Sequence, residues 1–112
     1  MWNTMKLDIN KQIKKLVNKI VNSIQAEEII LFGSYAYGNP ERDSDIDLCI
    51  LTNDISKRKI DLIKEVRKAI TPVALVPVDI LIYEKREFAN RSRLNTTFEY
   101  KIKHEGISIY GQ

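Results

Sequence analysis

The stretch "IILFGSYAYGNPERDSDIDLCI" constrains the fold most, because two strand-like segments lie on either side of a turn-rich loop. "EEIILFG" is a short apolar run that ends at a glycine, which is typical of a buried strand. From Asp45 to Leu51 apolar residues alternate with others, so Ile46 and its alternate neighbours face one way. Asp45 and Asp47 therefore leave the opposite face together. A buried carboxylate is costly unless a cation compensates for it, so this pattern indicates a cation site.

The remaining sequence alternates between helical and strand periodicity. Apolar residues recur every three or four positions over residues 9–24 and 60–70, which predicts two amphipathic helices. "VPVDILIY" predicts a third strand, and "ISIY" predicts a short edge strand at the end of the chain. A last helix carries Leu94, Phe98 and Ile102 at four-residue spacing and is capped by Gly106. We interpret this helix as part of the core, with docking of a partner as the alternative.

These elements predict an α/β (α+β) fold: a small mixed β-sheet with helices packed on one face. With 112 residues, the chain is expected to form one domain over residues 1–112.

The formal net charge of +3 suits an anionic ligand such as a nucleotide. Cys49 is the only cysteine, which excludes an intrachain disulfide. No apolar run approaches the roughly 18 residues of a membrane span and no secretion signal is apparent, so we expect a cytoplasmic location.

A third acid completes the candidate metal site. Asp79 lies within the third strand pattern, on the face that Leu81 and Tyr83 share. If this strand pairs beside the second, Asp79 joins Asp45 and Asp47 in a three-carboxylate cluster. Carboxylate oxygens suit magnesium, with manganese as an alternative. Such a cluster can hold two divalent ions about 3.5–4 Å apart, the arrangement used for phosphoryl and nucleotidyl transfer.

The dipeptide Gly33-Ser34 is the candidate phosphate-binding element. It lies where the first strand ends, and "SYAYG" is predicted to begin a short helical turn. Backbone N–H groups and the serine hydroxyl would bind phosphate oxygens there, and glycine allows the close approach of the backbone. The spacing of Gly33 and Gly38 matches the glycines of a P-loop, but Asn39-Pro40 follows where lysine and serine or threonine are required. The P-loop alternative is therefore rejected.

"GSYAYGNPERDSDIDLCI" resembles the signature of the DNA polymerase β-like nucleotidyltransferases. The short length and the tail "FEYKIKHEGISIY" are most similar to the minimal nucleotidyltransferases, which are commonly encoded beside a HEPN-domain protein as a toxin–antitoxin pair. The resemblance implies that Gly33 and Ser34 grip the nucleoside triphosphate and that Asp45 and Asp47 bind two magnesium ions. It further implies that Asp79 is the third acid, a ligand of the metal that activates the acceptor hydroxyl.

The resemblance also implies a reaction and a partner. AMP would pass from ATP to a tyrosine hydroxyl of a HEPN toxin, which would form a hetero-oligomer with this chain and lose its RNase activity. Neither a membrane nor a nucleic acid is an expected partner. Many relatives read Gly-Ser-x-Ala-Arg-Gly, whereas Tyr37 stands here in place of the arginine. The basic contact to the phosphates is then either missing or supplied by Arg42.

Two alternative functions remain open from the sequence. The protein could neutralise its partner by binding alone, without chemistry at the acids. It could also transfer a nucleotide to a small-molecule hydroxyl, although the chain has no additional domain to hold such an acceptor. The sequence assigns no residue that reads the base, so the nucleotide is not specified beyond the resemblance.

Overall fold

The computed structural model describes residues 8–38, 45–54 and 56–111. The strands are β1 (Glu28–Phe32), β2 (Ile46–Thr52), β3 (Val78–Glu84) and β4 (Ile107–Gly111). The helices are α1 (Ile9–Ser23), α2 (Ser34–Tyr37), α3 (Lys59–Ile70), α4 (Lys85–Arg91) and α5 (Phe98–Glu105). Within these described ranges, no helix combines the length and the apolar character that crossing a membrane requires.

The strands form one mixed sheet in the order β3-β2-β1-β4. β1 runs antiparallel to both β2 and β4, whereas β2 and β3 are parallel. A parallel pair needs a crossover connection, and α3 provides it here. The predicted fold class is therefore confirmed, including the helical turn after Gly33 and the edge strand β4.

One face of the sheet carries the larger hydrophobic core. Alternate residues of β1, β2 and β3 point to this face, and α1 and α3 cover it. Asp8 caps the start of α1, where its side chain accepts a hydrogen bond of 3.2 Å from the Lys11 N–H. The core consists of Leu16, Ile20, Ile24, Ile29, Leu31, Ile46, Leu48, Ile50, Leu62, Val66, Ile70, Val78, Ile80 and Ile82. The alternation predicted for the strands is thus observed.

The opposite face holds a smaller core under α4 and α5. Ile30 and Cys49 point to this side and pack with Phe88 of α4 and Ile102 of α5. The expectation of helices on one face only is corrected, because β1 is buried on both sides and needs cover on both. The sequence missed α4, since the segment "KREFANR" buries only Phe88 and has no apolar periodicity.

The last helix is shorter than the sequence pattern predicted. It begins at Phe98, after Thr97, whose side chain accepts a hydrogen bond of 3.1 Å from the Tyr100 N–H. Leu94 lies before the helix with its side chain 63% exposed, and Phe98 is 52% exposed, so neither belongs to the core. Gly106 ends the helix as predicted, and its N–H donates to the Ile102 carbonyl at 2.9 Å.

Candidate active site

The parallel register of β2 and β3 places Asp47 directly beside Asp79. Burial is the largest cause that raises the pKa of Asp47 from 3.8 to about 6, followed by a hydrogen bond with Asp79 and by the negative charges of Asp79 and Asp45. Because a hydrogen bond between two carboxyl groups needs a proton, the pair keeps one up to a higher pH than an isolated aspartate does. A divalent cation would replace this proton and remove the repulsion, so the pair suits a hard cation.

Asp45 lies immediately before β2 and is half-buried. Its charge acts on Asp47, which places it in electrostatic range of the pair. The start of the strand is held by the Ile46 N–H, which donates to the Pro77 carbonyl at 3.0 Å. Among the residues that the structure describes, no group of three or more His, Cys, Asp or Glu side chains is arranged to hold a metal ion. The structure thus brings Asp47 and Asp79 into contact, and the three-acid cluster stays a prediction.

Gly33 lies against the carboxylate of Asp47. The antiparallel register pairs Phe32 with Asp47, so Gly33 directly follows the last paired residue of β1. A Cβ atom at this position would collide with Oδ2 of Asp47, and φ is +75°. Only glycine fits both the contact and the backbone conformation. The two halves of the sequence motif therefore meet in space.

The short helix α2 begins at Ser34 with Gly33 as its N-cap. The Gly33 carbonyl accepts hydrogen bonds of 3.0 Å from the N–H groups of Ala36 and Tyr37. The N–H groups of Ser34 and Tyr35 lie in the first turn, before the helical bonding pattern starts, so they are suited to bind an anion. The other nucleotide-binding candidate, Arg42, lies outside the described residues.

Two cations near the site were not identified from the sequence. The Nζ atom of Lys101 lies 5.1 Å from the centre of the Tyr37 ring, at the position where many relatives have arginine. Arg67 reaches from α3 to β3, the edge strand of the sheet, where its guanidinium donates to the Val78 carbonyl. Exposed lysines and arginines on an amphipathic helix are ordinarily solvated, so their sequence carried no signal for a site.

The acidic pair opens into a cleft of about 420 Å³. Its lining residues are Phe32, Asp47, Arg67, Asp79, Ile80, Leu81 and Phe98. The cleft thus combines two acids, one guanidinium and two aromatic rings at the uncovered end of the second face. Sequence reasoning missed Phe98, because its spacing from Ile102 made it look like a core residue.

Comparison with known proteins gives a family match over most of the chain. The profile of the family described as "Nucleotidyltransferase domain" matches residues 11–104. "Putative protein adenylyltransferase MJ0604" of Methanocaldococcus jannaschii is 31% identical over 102 residues, which cover 89% of this chain and 96% of the relative. "Putative protein adenylyltransferase MJ0141" of the same organism is 27% identical over 105 residues, which cover 92% and 97%.

A solved structure has a similar fold. This structure is the complex of a tri-AMPylated Shewanella oneidensis HEPN toxin with an MNT antitoxin. Its matched chain superposes with a TM-score of 0.52 at 20% identity, and the match covers 92% of this chain and 72% of the other. At this identity the likeness concerns the fold, which agrees with the mixed sheet and helices described above.

Proposed function

Because the chain belongs to the nucleotidyltransferase domain family, in its minimal form, we propose that it transfers AMP from ATP to a hydroxyl of a partner HEPN toxin. The transfer would silence the partner, so the protein would act as an antitoxin. One observation carries the proposal: Asp47 and Asp79 lie in register beside each other, and Gly33 lies against Asp47. The names of the two archaeal relatives and the AMP-modified toxin of the similar complex support the same chemistry.

Different residues of the site would bind the phosphates of ATP and the metal ions. The N–H groups of the turn at Gly33 and the hydroxyl of Ser34 would hold phosphate oxygens. Asp47 and Asp79, together with Asp45, would hold magnesium. Bound magnesium supplies positive charge that neutralises the triphosphate and polarises the α-phosphate. The raised pKa of Asp47 supports this assignment, because burial, and after it the contact with Asp79, disfavours the charged carboxylate unless a cation lies nearby.

The transfer exchanges a phosphoanhydride bond of ATP for a phosphodiester link to the acceptor. The acceptor oxygen forms a bond to the α-phosphorus, while the bond from that phosphorus to the oxygen bridging to the β-phosphate breaks. Pyrophosphate leaves with the electron pair, and the proton of the hydroxyl passes to a carboxylate of the acidic pair. Asp79 is suited to this last role, because its side chain is exposed on the edge strand, where an acceptor from a second chain can approach.

A tyrosine of the partner is the proposed acceptor. The chain matches its curated relatives over almost their whole length, and the cleft is lined by one small domain only. An acceptor presented by a second protein fits the exposed position of Asp79 on β3.

Intact mass of the partner protein tests the proposal. The partner encoded beside this chain would be co-expressed with the wild type, with Asp47→Asn or with Asp61→Asn, and also treated in vitro with ATP and magnesium. Asp61 is a matched control, since it is an acid on α3 that pairs with Arg58 at 3.0 Å and is not part of the cleft lining. We expect added AMP with the wild type and with Asp61→Asn, and none with Asp47→Asn.

Other outcomes would overturn the proposal. A partner that stays unmodified but co-purifies with all three forms would show neutralisation by binding alone. AMP added equally by Asp47→Asn would show that the acidic pair is not the catalytic site.

Loss of modification on removal of magnesium, with recovery on its return, is expected if the acids bind the metal.

A further inference from the structure

Phe98 exposes an aromatic ring at the mouth of the acidic cleft. Its side chain is 52% exposed, yet it lines the same cleft as Asp47 and Asp79. A large apolar side chain in contact with water beside charged groups is a marker of a binding surface when it adjoins a cleft. The proposed reaction so far gives this ring no role.

The ring of Phe98 packs against one aromatic neighbour, and the backbone on both sides of it is anchored. The Phe32 ring packs edge to face against it, with ring centres 5.7 Å apart and planes at 83°. Thr97, the preceding residue, caps α5. Glu99, the following residue, is buried and accepts a hydrogen bond of 2.6 Å from the Tyr83 hydroxyl. Because the backbone is anchored on both sides and the ring packs against Phe32, the position of the ring is largely preformed.

The cleft includes Asp79, the acid of the pair that is exposed on β3 and open to a second chain. Three consecutive residues of β3, namely Asp79, Ile80 and Leu81, line the cleft together with Phe98. Its lining includes no residue of the turn at Gly33 or of α2 among the described part of the chain. The Phe98 ring thus shares the cleft with the acid that faces the acceptor, and it packs against Phe32, the residue before the turn at Gly33.

We propose that Phe98, backed by Phe32, binds the aromatic ring of the acceptor tyrosine and so sets the preference for a phenol over an aliphatic hydroxyl. This inference rests on the proposed function. A phenol ring stacked on Phe98 would place its hydroxyl in the cleft that Phe98 shares with the acidic pair. A serine or threonine side chain has no ring to make this contact.

The test measures AMP transfer within the assembled complex of this chain and its partner. The variants are Phe98→Ala, Phe98→Leu and Phe98→Trp, each with partner carrying the acceptor tyrosine or a Tyr→Ser substitution there. Leu94→Ala is the matched control, because Leu94 is 63% exposed just before α5 and does not line the cleft. Thermal unfolding of each variant confirms that it is folded.

We expect Phe98→Ala and Phe98→Leu to lower kcat with the tyrosine partner about three- to tenfold, the range for one aromatic pair. The KM for ATP should stay within about twofold of the wild type, since the loss concerns the acceptor. Phe98→Trp and Leu94→Ala should remain close to wild type. The preference for tyrosine over serine should shrink by the same factor in Phe98→Ala.

Distinct results separate failure of this inference from failure of the proposed function. A wild type that transfers AMP while Phe98→Ala does so equally well would overturn the inference alone. A raised KM for ATP with unchanged kcat would assign the ring to the nucleobase, which also overturns it. A wild type that transfers no AMP with ATP, magnesium and partner present would overturn the proposed function and this inference with it.

Discussion

The two faces of the sheet use the same strands for opposite purposes. On one face, Leu48 and its alternate neighbours are completely covered by α1 and α3. On the other face, α4 and α5 cover the strands only from Cys49 onward and leave Asp47 at the mouth of a cleft. Because side chains alternate along β2, one set of residues packs in the core and stabilises the fold, whereas the set between them includes the acid of the candidate site. This division predicts that substitutions on the two faces separate activity from stability.

The largest expected effect is on activity, at Asp47. Asp47→Asn should lower AMP transfer at least about 10²- to 10³-fold, comparable to the loss of one preorganised electrostatic group. The free energy of unfolding in the absence of metal should stay equal or rise, because the repulsion with Asp79 is removed. Transfer rates and urea unfolding measure the two quantities. A large loss of both would contradict the separation of the faces.

Leu16→Ala should produce the reverse pattern on the core face. Leu16 lies on α1 with none of its surface exposed, so its truncation leaves a cavity that costs about 2–5 kcal/mol of unfolding free energy. The transfer rate per folded molecule should change less than about twofold at a temperature where the variant is folded. Denaturant unfolding and activity at low temperature test this. If kcat instead fell tenfold in the folded variant, the core face would be coupled to the site.

Gly33→Ala should affect both properties, since Gly33 joins the sheet to the site. The added Cβ would collide with Oδ2 of Asp47, and the positive φ of 75° is strained for alanine, so we expect a loss of about 1–3 kcal/mol in unfolding free energy. Displacement of the Asp47 carboxylate should also lower the transfer rate. Gly38→Ala is the matched control, because Gly38 has a similar φ of +83° but nothing lies within 4 Å of its added Cβ. Equal activities of the two variants would argue against the contact at Gly33.

Tyr83→Phe should have the smallest effect, and that effect should depend on pH. The hydrogen bond from Tyr83 is the largest cause that holds the pKa of Glu99 below its usual 4.5. Its contribution is present above the unfolded pKa of Glu99 and is lost as the pH falls through the lower folded value. We expect the variant to lose roughly 1–2 kcal/mol of unfolding free energy at pH 7 and less below about pH 4. A loss that is independent of pH would mean that the hydroxyl stabilises the fold whatever the charge of Glu99, and no loss would mean that Tyr83 acts by packing alone.

The sequence predicted those parts of the molecule that depend on local pattern. Alternation identified the buried residues of β2 and β3, and the Gly-Ser and Asp-x-Asp elements were assigned to one site as its phosphate-binding and metal-binding parts. The in-register contact of Asp47 with Asp79 was predicted only on the condition that the two strands pair, because a single sequence does not specify register between distant strands.

The missed features depend on how elements pack. α4 has one buried anchor, Phe88, so no periodicity revealed it. Phe98 shares four-residue spacing with Leu94 and Ile102, but the chain turns before the helix and leaves the ring exposed. Arg67 reaches the cleft only because β3 is an edge strand, which is a property of the assembled sheet.

The parallel pairing of β2 and β3 also determines when the site can form during synthesis. Gly33 and Asp47 lie on strands that follow each other and pair antiparallel, so their contact needs no later part of the chain. Asp79 arrives only after the crossover helix α3 has been made and has folded back onto the sheet. A ribosome-bound or truncated chain that ends before β3 therefore lacks half of the acidic pair. The proposed antitoxin activity would thus begin only when most of the sheet is complete, and shorter fragments should leave the partner unmodified.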